Sequence, residues 1–176
     1  GGEPLVRRDI TRLVRGLKET PGIETVAVTT NGVLLGTMLD ELIDAGLDAV
    51  NLSLDTLDGG KFFSITRRPL FGTVMETLER LTRETRLDVK MNCVPIAGVN
   101  DDEITALAAI ARDYPIKMRF IELMQTGEMN SFFQKHHLSG QILEQKLLQD
   151  GWQLQMKGRS DGPAKVFRHS DYLGEI

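Results

Sequence analysis

A single cysteine, Cys93, stands in 176 residues, and that scarcity excludes more than any other feature of the sequence. No intramolecular disulfide can form, and no multi-cysteine metal site can be built from this chain alone. Excess positive charge is also missing: 21 Lys and Arg against 25 Asp and Glu give a formal net charge of -4. That balance gives no reason to expect a nucleic-acid partner. No apolar run approaches the roughly 20 residues that cross a bilayer, so no membrane partner is expected. The start, Gly1-Gly2-Glu3-Pro4, lacks the basic residues and apolar stretch of a signal peptide, and a cytoplasmic location is the expectation. There is no low-complexity tract.

What is present is a rhythm. Ile10, Leu13, Val14 and Leu17 share one helical face, with Asp9 as a candidate N-cap and Pro21-Gly22 as a stop. Val26–Thr30 is β-rich and ends at Asn31-Gly32, after which Leu35, Met38, Leu39, Leu42 and Ile43 recur at helical spacing up to Gly46, a candidate C-cap. The unit then repeats. A strand over Ala49–Asp55 precedes a short helix around Leu57–Thr66 and an amphipathic helix marked by Phe71, Val74, Met75, Leu78 and Leu81. A strand over Val89–Val94, a helix opened by Asn100-Asp101-Asp102, and a last strand over Ile116–Glu122 complete the series. Strands alternating with helices predict an α/β fold with a parallel sheet and right-handed crossovers. Beyond Met124 the pattern changes to a loop or short helix, a helix over Ser139–Asp150, and a hairpin from Trp152 to His169 turning at Ser160-Asp161-Gly162-Pro163. Residues 125–176 therefore read as an appendage to residues 1–124.

The strands are not uniformly apolar, as strands buried on both faces would be. A period of two sends Val26, Val28, Val50, Leu52, Leu54, Val89, Met91 and Cys93 toward the helices. Thr29, Asn31, Asn51, Ser53, Asp55, Lys90 and Asn92 then point to the opposite face, joined by Lys117 and Arg119 of the last strand. Such a face calls for a polar ligand, water or internal partners. Lys90 and Arg119 on neighbouring strands suit a phosphorylated ligand. The other reading is a salt-bridge network, with Asp55 paired to Lys90 or Arg119.

Several segments, taken in order, carry a resemblance. They are Gly1-Gly2-Glu3-Pro4-Leu5-Val6-Arg7-Arg8-Asp9, Thr29-Thr30-Asn31-Gly32, Asn51-Leu52-Ser53-Leu54-Asp55, Val89-Lys90-Met91-Asn92 and Arg119-Phe120-Ile121-Glu122-Leu123-Met124. Together they resemble the GTP 3′,8-cyclase family of radical S-adenosylmethionine (SAM) enzymes, which serve molybdenum cofactor biosynthesis. The likeness extends through Lys135-His136-His137 and Arg159-Ser160-Asp161-Gly162-Pro163-Ala164. It implies a partial (β/α)6 barrel, truncated here to the tip of barrel strand two and strands three to six, with a C-terminal helix and hairpin appendage leading toward a second cluster region. It implies SAM contacts at Gly2, Ser53 and Met124, and GTP contacts at Thr29 and Lys90. Arg119 is a candidate phosphate or carboxylate partner. Apart from the resemblance, Gly2 reads as a turn residue, Met124 as core and Thr29 as an ordinary strand residue.

The resemblance further implies SAM and two 4Fe-4S clusters as cofactors, GTP as substrate, and a homodimer. The implied chemistry is a 5′-deoxyadenosyl radical that takes hydrogen from C3′ of GTP, with attack on C8. The product would pass to the cyclic pyranopterin monophosphate synthase step. The family's cluster ligands, a Cys-x3-Cys-x2-Cys loop and three further cysteines, have no match here, and Cys93 reads as a small buried hydrophobe. No catalytic residue and no metal ligand is assigned, and the chain by itself is expected to be inactive. Adjacent histidines point in different directions, so His136 and His137 read as solvated or capping residues. A barrel lacking its first strands would expose an edge and apolar surface, so self-association is expected. The rival reading is a non-catalytic nucleotide-binding α/β module.

Overall fold

The computed structural model of the protein describes residues 2–125, 130–156 and 164–176. After a one-turn 3-10 helix, Pro4–Val6, helix α1 (Ile10–Lys18) leads into strand β1 (Ala27–Thr30). Helix α2 (Leu35–Asp44) and strand β2 (Ala49–Ser53) follow, then α3 (Gly59–Thr66), α4 (Phe71–Thr82) and β3 (Asp88–Cys93). Helix α5 (Ile104–Asp113) and β4 (Lys117–Phe120) complete the alternating part. The strands form one parallel sheet in the order β1-β2-β3-β4. This is the α/β arrangement that the strand-helix alternation predicts.

One face of the sheet is the core. Val28, Val50, Leu52, Val89, Met91, Cys93 and Met118 are buried, in a single cluster with Leu35, Leu39 and Leu42 of α2, Val74, Leu78 and Leu81 of α4, and Leu107, Ala108 and Ala111 of α5. Burial of large aliphatic side chains at about 1.5–3 kcal/mol each makes this layer the main source of stability. Gly46 ends α2 as expected: at φ 98° it lets the Leu47 N–H reach back to the Leu42 carbonyl at 3.0 Å.

Three expectations change. Asp9 precedes α1 but caps nothing, because its carboxylate is taken by Arg7 at 2.7 Å and Arg12 at 3.3 Å. The apolar stripe of α1 is only half covered: Ile10 and Val14 are buried, while Leu13 and Leu17 are 38% and 37% exposed. Strands β2 and β3 end short of the sequence runs, at Ser53 and Cys93, and side chains bind the backbone just beyond them. The Asp55 carboxylate accepts the Val94 N–H at 2.8 Å. Asn100 donates to the carbonyls of Asp55 at 2.7 Å and Val94 at 3.0 Å while its own oxygen accepts the Ile96 N–H at 2.6 Å. Glu103 closes the same end, accepting from the Thr56 hydroxyl at 2.6 Å and the Leu57 N–H at 3.0 Å.

The C-terminal part holds α6 (Asn130–His136), α7 (Gly140–Gln149) and the antiparallel pair β5 (Gln153–Leu154) and β6 (Phe167–Arg168). The hairpin is therefore present, and its expected turn at Ser160–Pro163 lies outside the described residues. Leu147, Trp152 and Phe167 join the main buried cluster. The last residues run along the outer edge of β4: the Met118 N–H donates to the Glu175 carbonyl at 2.8 Å, and the Glu175 N–H to Ile116 at 3.2 Å. Gly174 is required there, since a Cβ would collide with the Ile116 carbonyl oxygen. At the opposite edge, β1 has β2 as its strand neighbour among the described residues.

Asn100 is 1% exposed, so removing its amide strands three backbone groups in the interior. Asn100→Ala should cost about 3 kcal/mol. Urea denaturation measures this, and a loss below about 1 kcal/mol would show that the backbone groups find other partners.

Candidate functional site

The face opposite the helices carries its side chains in rows, because parallel pairing places every second residue of adjacent strands side by side. One row is Thr29, Asn51, Lys90 and Lys117. The next, toward the C-terminal ends, is Ser53, Asn92 and Arg119. The row before them is Ala27, Ala49 and Asp88. Thr29, Ser53 and Arg119 are exposed, and Asn51, Lys90, Asn92 and Lys117 are half-buried. The sequence places Thr29, Ser53, Lys90 and Arg119 on one face, and the structure brings them into two adjacent rows.

Asn51 donates to the Thr29 hydroxyl at 3.1 Å, which leaves the Thr29 proton free to donate elsewhere. The amide oxygens of Asn51 and Asn92 are withdrawn from water with no partner among the described residues. Each such acceptor costs about 1–3 kcal/mol until a donor meets it. The donors that a nucleoside carries, sugar hydroxyls and an exocyclic amine, are the kind these oxygens lack.

The charges on this face do pair, though not as expected. Asp55 contacts neither Lys90 nor Arg119 through any ion pair; its carboxylate is turned to the Val94 N–H at the strand end. Lys90 is bound instead to Asp88 at 2.9 Å, and Lys117 meets the same carboxylate at 3.1 Å. Burial works to raise the pKa of Asp88, but the hydrogen bonds from the two lysines outweigh it and hold the carboxyl below its ordinary value. Burial dominates at Asp55 and pushes its carboxyl upward against the Val94 hydrogen bond.

Gly2 has φ 144° and is exposed, with nothing within 4 Å of where a Cβ would stand. Its place is set by the next residue. The Glu3 carboxylate accepts from the Thr30 hydroxyl at 2.7 Å, the Asn31 N–H at 2.8 Å and the Leu5 N–H at 3.1 Å. Gly2 thus lies at the C-terminal end of β1, the end at which Ser53 closes β2. Met124, which follows β4, is 73% exposed and is no core filler.

His137 and His136 tie α6 to the strand ends, the first through Glu122 at 2.6 Å and the second through the Ala97 carbonyl at 2.8 Å. Cys93 is buried, and its thiol is pushed well above the ordinary range by burial, with the nearby Asp55 and Glu103 adding to it. Sequence reasoning missed the Glu3 clamp and Asp88. The signal for Asp88 was available, since it lies two residues before Lys90 and so on the same face.

SAM fits this surface: an exposed hydroxyl, backbone at Gly2 open to close approach, and unpartnered acceptors stand at one end of the sheet. An iron-sulfur cluster does not fit, since it needs several thiolates and this chain has one buried thiol. Among the described residues no group of three or more His, Cys, Asp or Glu is placed to hold a metal.

Comparison with known proteins places the chain in a class. Residues 1–111 match the Radical SAM superfamily, and the chain belongs to it. That superfamily implies SAM and a 4Fe-4S cluster. More narrowly, the chain is 47% identical over 176 residues to the GTP 3′,8-cyclase of Actinobacillus succinogenes, covering all of this chain and 52% of that protein. It is 46% identical to the GTP 3′,8-cyclase of Yersinia pestis, again over the whole chain and 54% of the relative. The chain spans about half the length of these curated relatives. A domain of pyruvate-formate lyase-activating enzyme from Bacteroides vulgatus superimposes with a TM-score of 0.63 at 20% identity, over 84% of this chain and 88% of that one. TYW1 with a lysine-pyruvate adduct bound gives 0.61 at 16%, over 92% and 52%. These two structures support the fold alone.

Asp55 offers a pH test at the strand ends. Its raised folded pKa means that its contribution to stability is fully present below the unfolded value near 3.9 and is lost as pH rises through the folded value. Asp55→Asn keeps an oxygen for the Val94 N–H and has no charge to bury. Melting curves from pH 4 to 7 should show this loss in the wild type and not in the variant; identical slopes would assign the pH dependence elsewhere.

Proposed function

We propose that this chain forms the SAM- and GTP-facing part of a GTP 3′,8-cyclase, a lyase converting GTP to 3′,8-cyclo-7,8-dihydro-GTP at the first step of molybdenum cofactor biosynthesis. The observation that carries the reading is the pair of in-register polar rows on an otherwise apolar parallel sheet. Identity of 46–47% along the whole chain to GTP 3′,8-cyclases supports it. SAM, when bound beside a cluster, supplies a carbon radical able to abstract hydrogen.

The work of this chain is orientation. Gly2, Ser53 and Met124 are assigned to SAM: open backbone for the methionyl end, a hydroxyl for the ribose, and a polarizable side chain for the adenine. Thr29 and Lys90 are assigned to GTP, the hydroxyl held by Asn51 as a donor and the ammonium as a countercharge to phosphate. Placing both ligands on neighbouring rows aligns the reacting carbons and limits water, which is how such a scaffold raises a rate. Cluster ligation falls to cysteines this chain does not carry. Two clusters, a homodimer in the cytoplasm and transfer of the product to the cyclic pyranopterin monophosphate synthase step complete the proposal.

The single buried cysteine favours one rival, a nucleotide-binding module without catalysis. Anaerobic reconstitution of the 176-residue chain with iron and sulfide should give no 5′-deoxyadenosine from SAM. Any amount above background would overturn the assignment of the cluster to other residues. Equilibrium dialysis tests the sites themselves. Lys90→Met should weaken GTP binding about tenfold or more while leaving SAM binding unchanged. Unchanged GTP affinity would remove Lys90 from the site, and a native sequence without any upstream Cys-x3-Cys-x2-Cys would favour the module.

A further inference from the structure

Lys90 and Lys117 face each other directly across β3 and β4 on the polar face. Like charges so placed repel, and a sheet does not put them opposite without compensation. The compensation is Asp88, which lies on the same face two residues before Lys90 and diagonal to Lys117. Its carboxylate bridges the two ammonium groups: Lys90 lies 2.9 Å from Oδ2, and Lys117 lies 3.1 Å from Oδ1 and 3.3 Å from Oδ2. All three side chains reach solvent, at 29% exposure for Lys90 and 41% for Asp88 and for Lys117. The other positions of the Asp88 row are Ala27 and Ala49, whose methyl groups offer no competing polar contact.

We propose that Lys117 is a second phosphate-binding residue, forming with Lys90 a two-ammonium clamp whose anion position Asp88 fills while no phosphate is bound. The inference rests on the reading of this face as a nucleotide site and extends it to a residue and a device that reading does not include. Two ammonium groups and one carboxylate leave one positive charge over. A phosphate group with two or more negative charges therefore binds the pair better than the carboxylate it displaces, since each ammonium exchanges its contacts with the carboxylate for charge-assisted hydrogen bonds at higher opposing charge. The depressed pKa of Asp88 agrees with a carboxylate held as an anion between the two lysines. Asp88 also sets a threshold, because singly charged anions gain little by displacing it. The clamp thus selects for multiply charged phosphate over singly charged anions.

Isothermal titration calorimetry with inorganic triphosphate and with GTP tests the clamp, with circular dichroism confirming that each variant is folded. Lys117→Met should weaken both ligands about tenfold, and Asp88→Asn should strengthen both several-fold by freeing the lysines. Lys61→Met, which disturbs only the pairs with Asp102 and Glu103 beyond this face, should match the wild type. If Lys117→Met binds both ligands like the wild type while Lys90→Met is weakened, the clamp is wrong and the nucleotide site stands. If Asp88→Asn weakens binding or leaves it unchanged, Asp88 is a structural counter-ion only. If the wild type binds GTP but not inorganic triphosphate, phosphate is not what the clamp grips. If it binds neither, the reading of the face as a nucleotide site fails and the clamp with it.

Discussion

The period of two along a parallel strand is the constraint on which everything else in this molecule depends. Four strands in register turn that period into a sheet with one apolar side, sealed by α2, α4 and α5, and an opposite side that carries two rows of threonine, serine, asparagine, lysine and arginine beside the row of Ala27, Ala49 and Asp88. A shift of one residue in any strand would exchange the two sides. The buried cluster of Val50, Leu52, Met91 and Met118 fixes the register and, in doing so, fixes the rows on which ligand chemistry depends.

The C-terminal ends of the strands are held by a second kind of interaction, side chains that bind backbone. Glu3 fixes the Gly2 segment to the end of β1, Asp55 and Asn100 join the ends of β2 and β3, and Glu103 secures the turn after β2. These contacts leave the strand ends as an ordered rim of loops. Parallel α/β sheets place ligands at that rim, where successive loops converge. Gly2, Ser53 and Met124, the residues proposed to contact SAM, lie at or just beyond this end.

Much of this was legible in the sequence, and the reasons for the gaps are physical. Apolar alternation over Val26–Val28, Val50–Leu54 and Val89–Cys93 read the sheet and its two faces, because burial enforces that pattern residue by residue. Boundaries were less legible: the runs continue past Ser53 and Phe120, and at the ends of β2 and β3 the bonds from Asp55 and Asn100, contacts between residues distant in sequence, take over the backbone. Asp9 has the composition of a cap, yet Arg7 and Arg12 outcompete the helix N–H groups for it. The polar face was legible as a set of residues but its pairing was not. Lys90 needed a partner, and choosing Asp88 over Asp55 requires knowing that Asp55 is already committed to Val94. The tail along β4 carries no signal of its own beyond Gly174, whose need appears only where it passes the Ile116 carbonyl.

Membership of the superfamily and the absence of cluster thiolates from this chain are compatible under the proposed division of roles, in which the cluster supplies electrons and this sheet face supplies geometry. The central claim is that the polar face, and no other surface, receives the ligands. Nuclear magnetic resonance of the labelled protein, titrated with SAM and GTP under anaerobic conditions, addresses it directly. Shifts confined to Gly2, Thr29, Asn51, Ser53, Lys90, Asn92, Arg119 and their neighbours are the predicted result; shifts among α2 and α4 residues, with this face undisturbed, would contradict it.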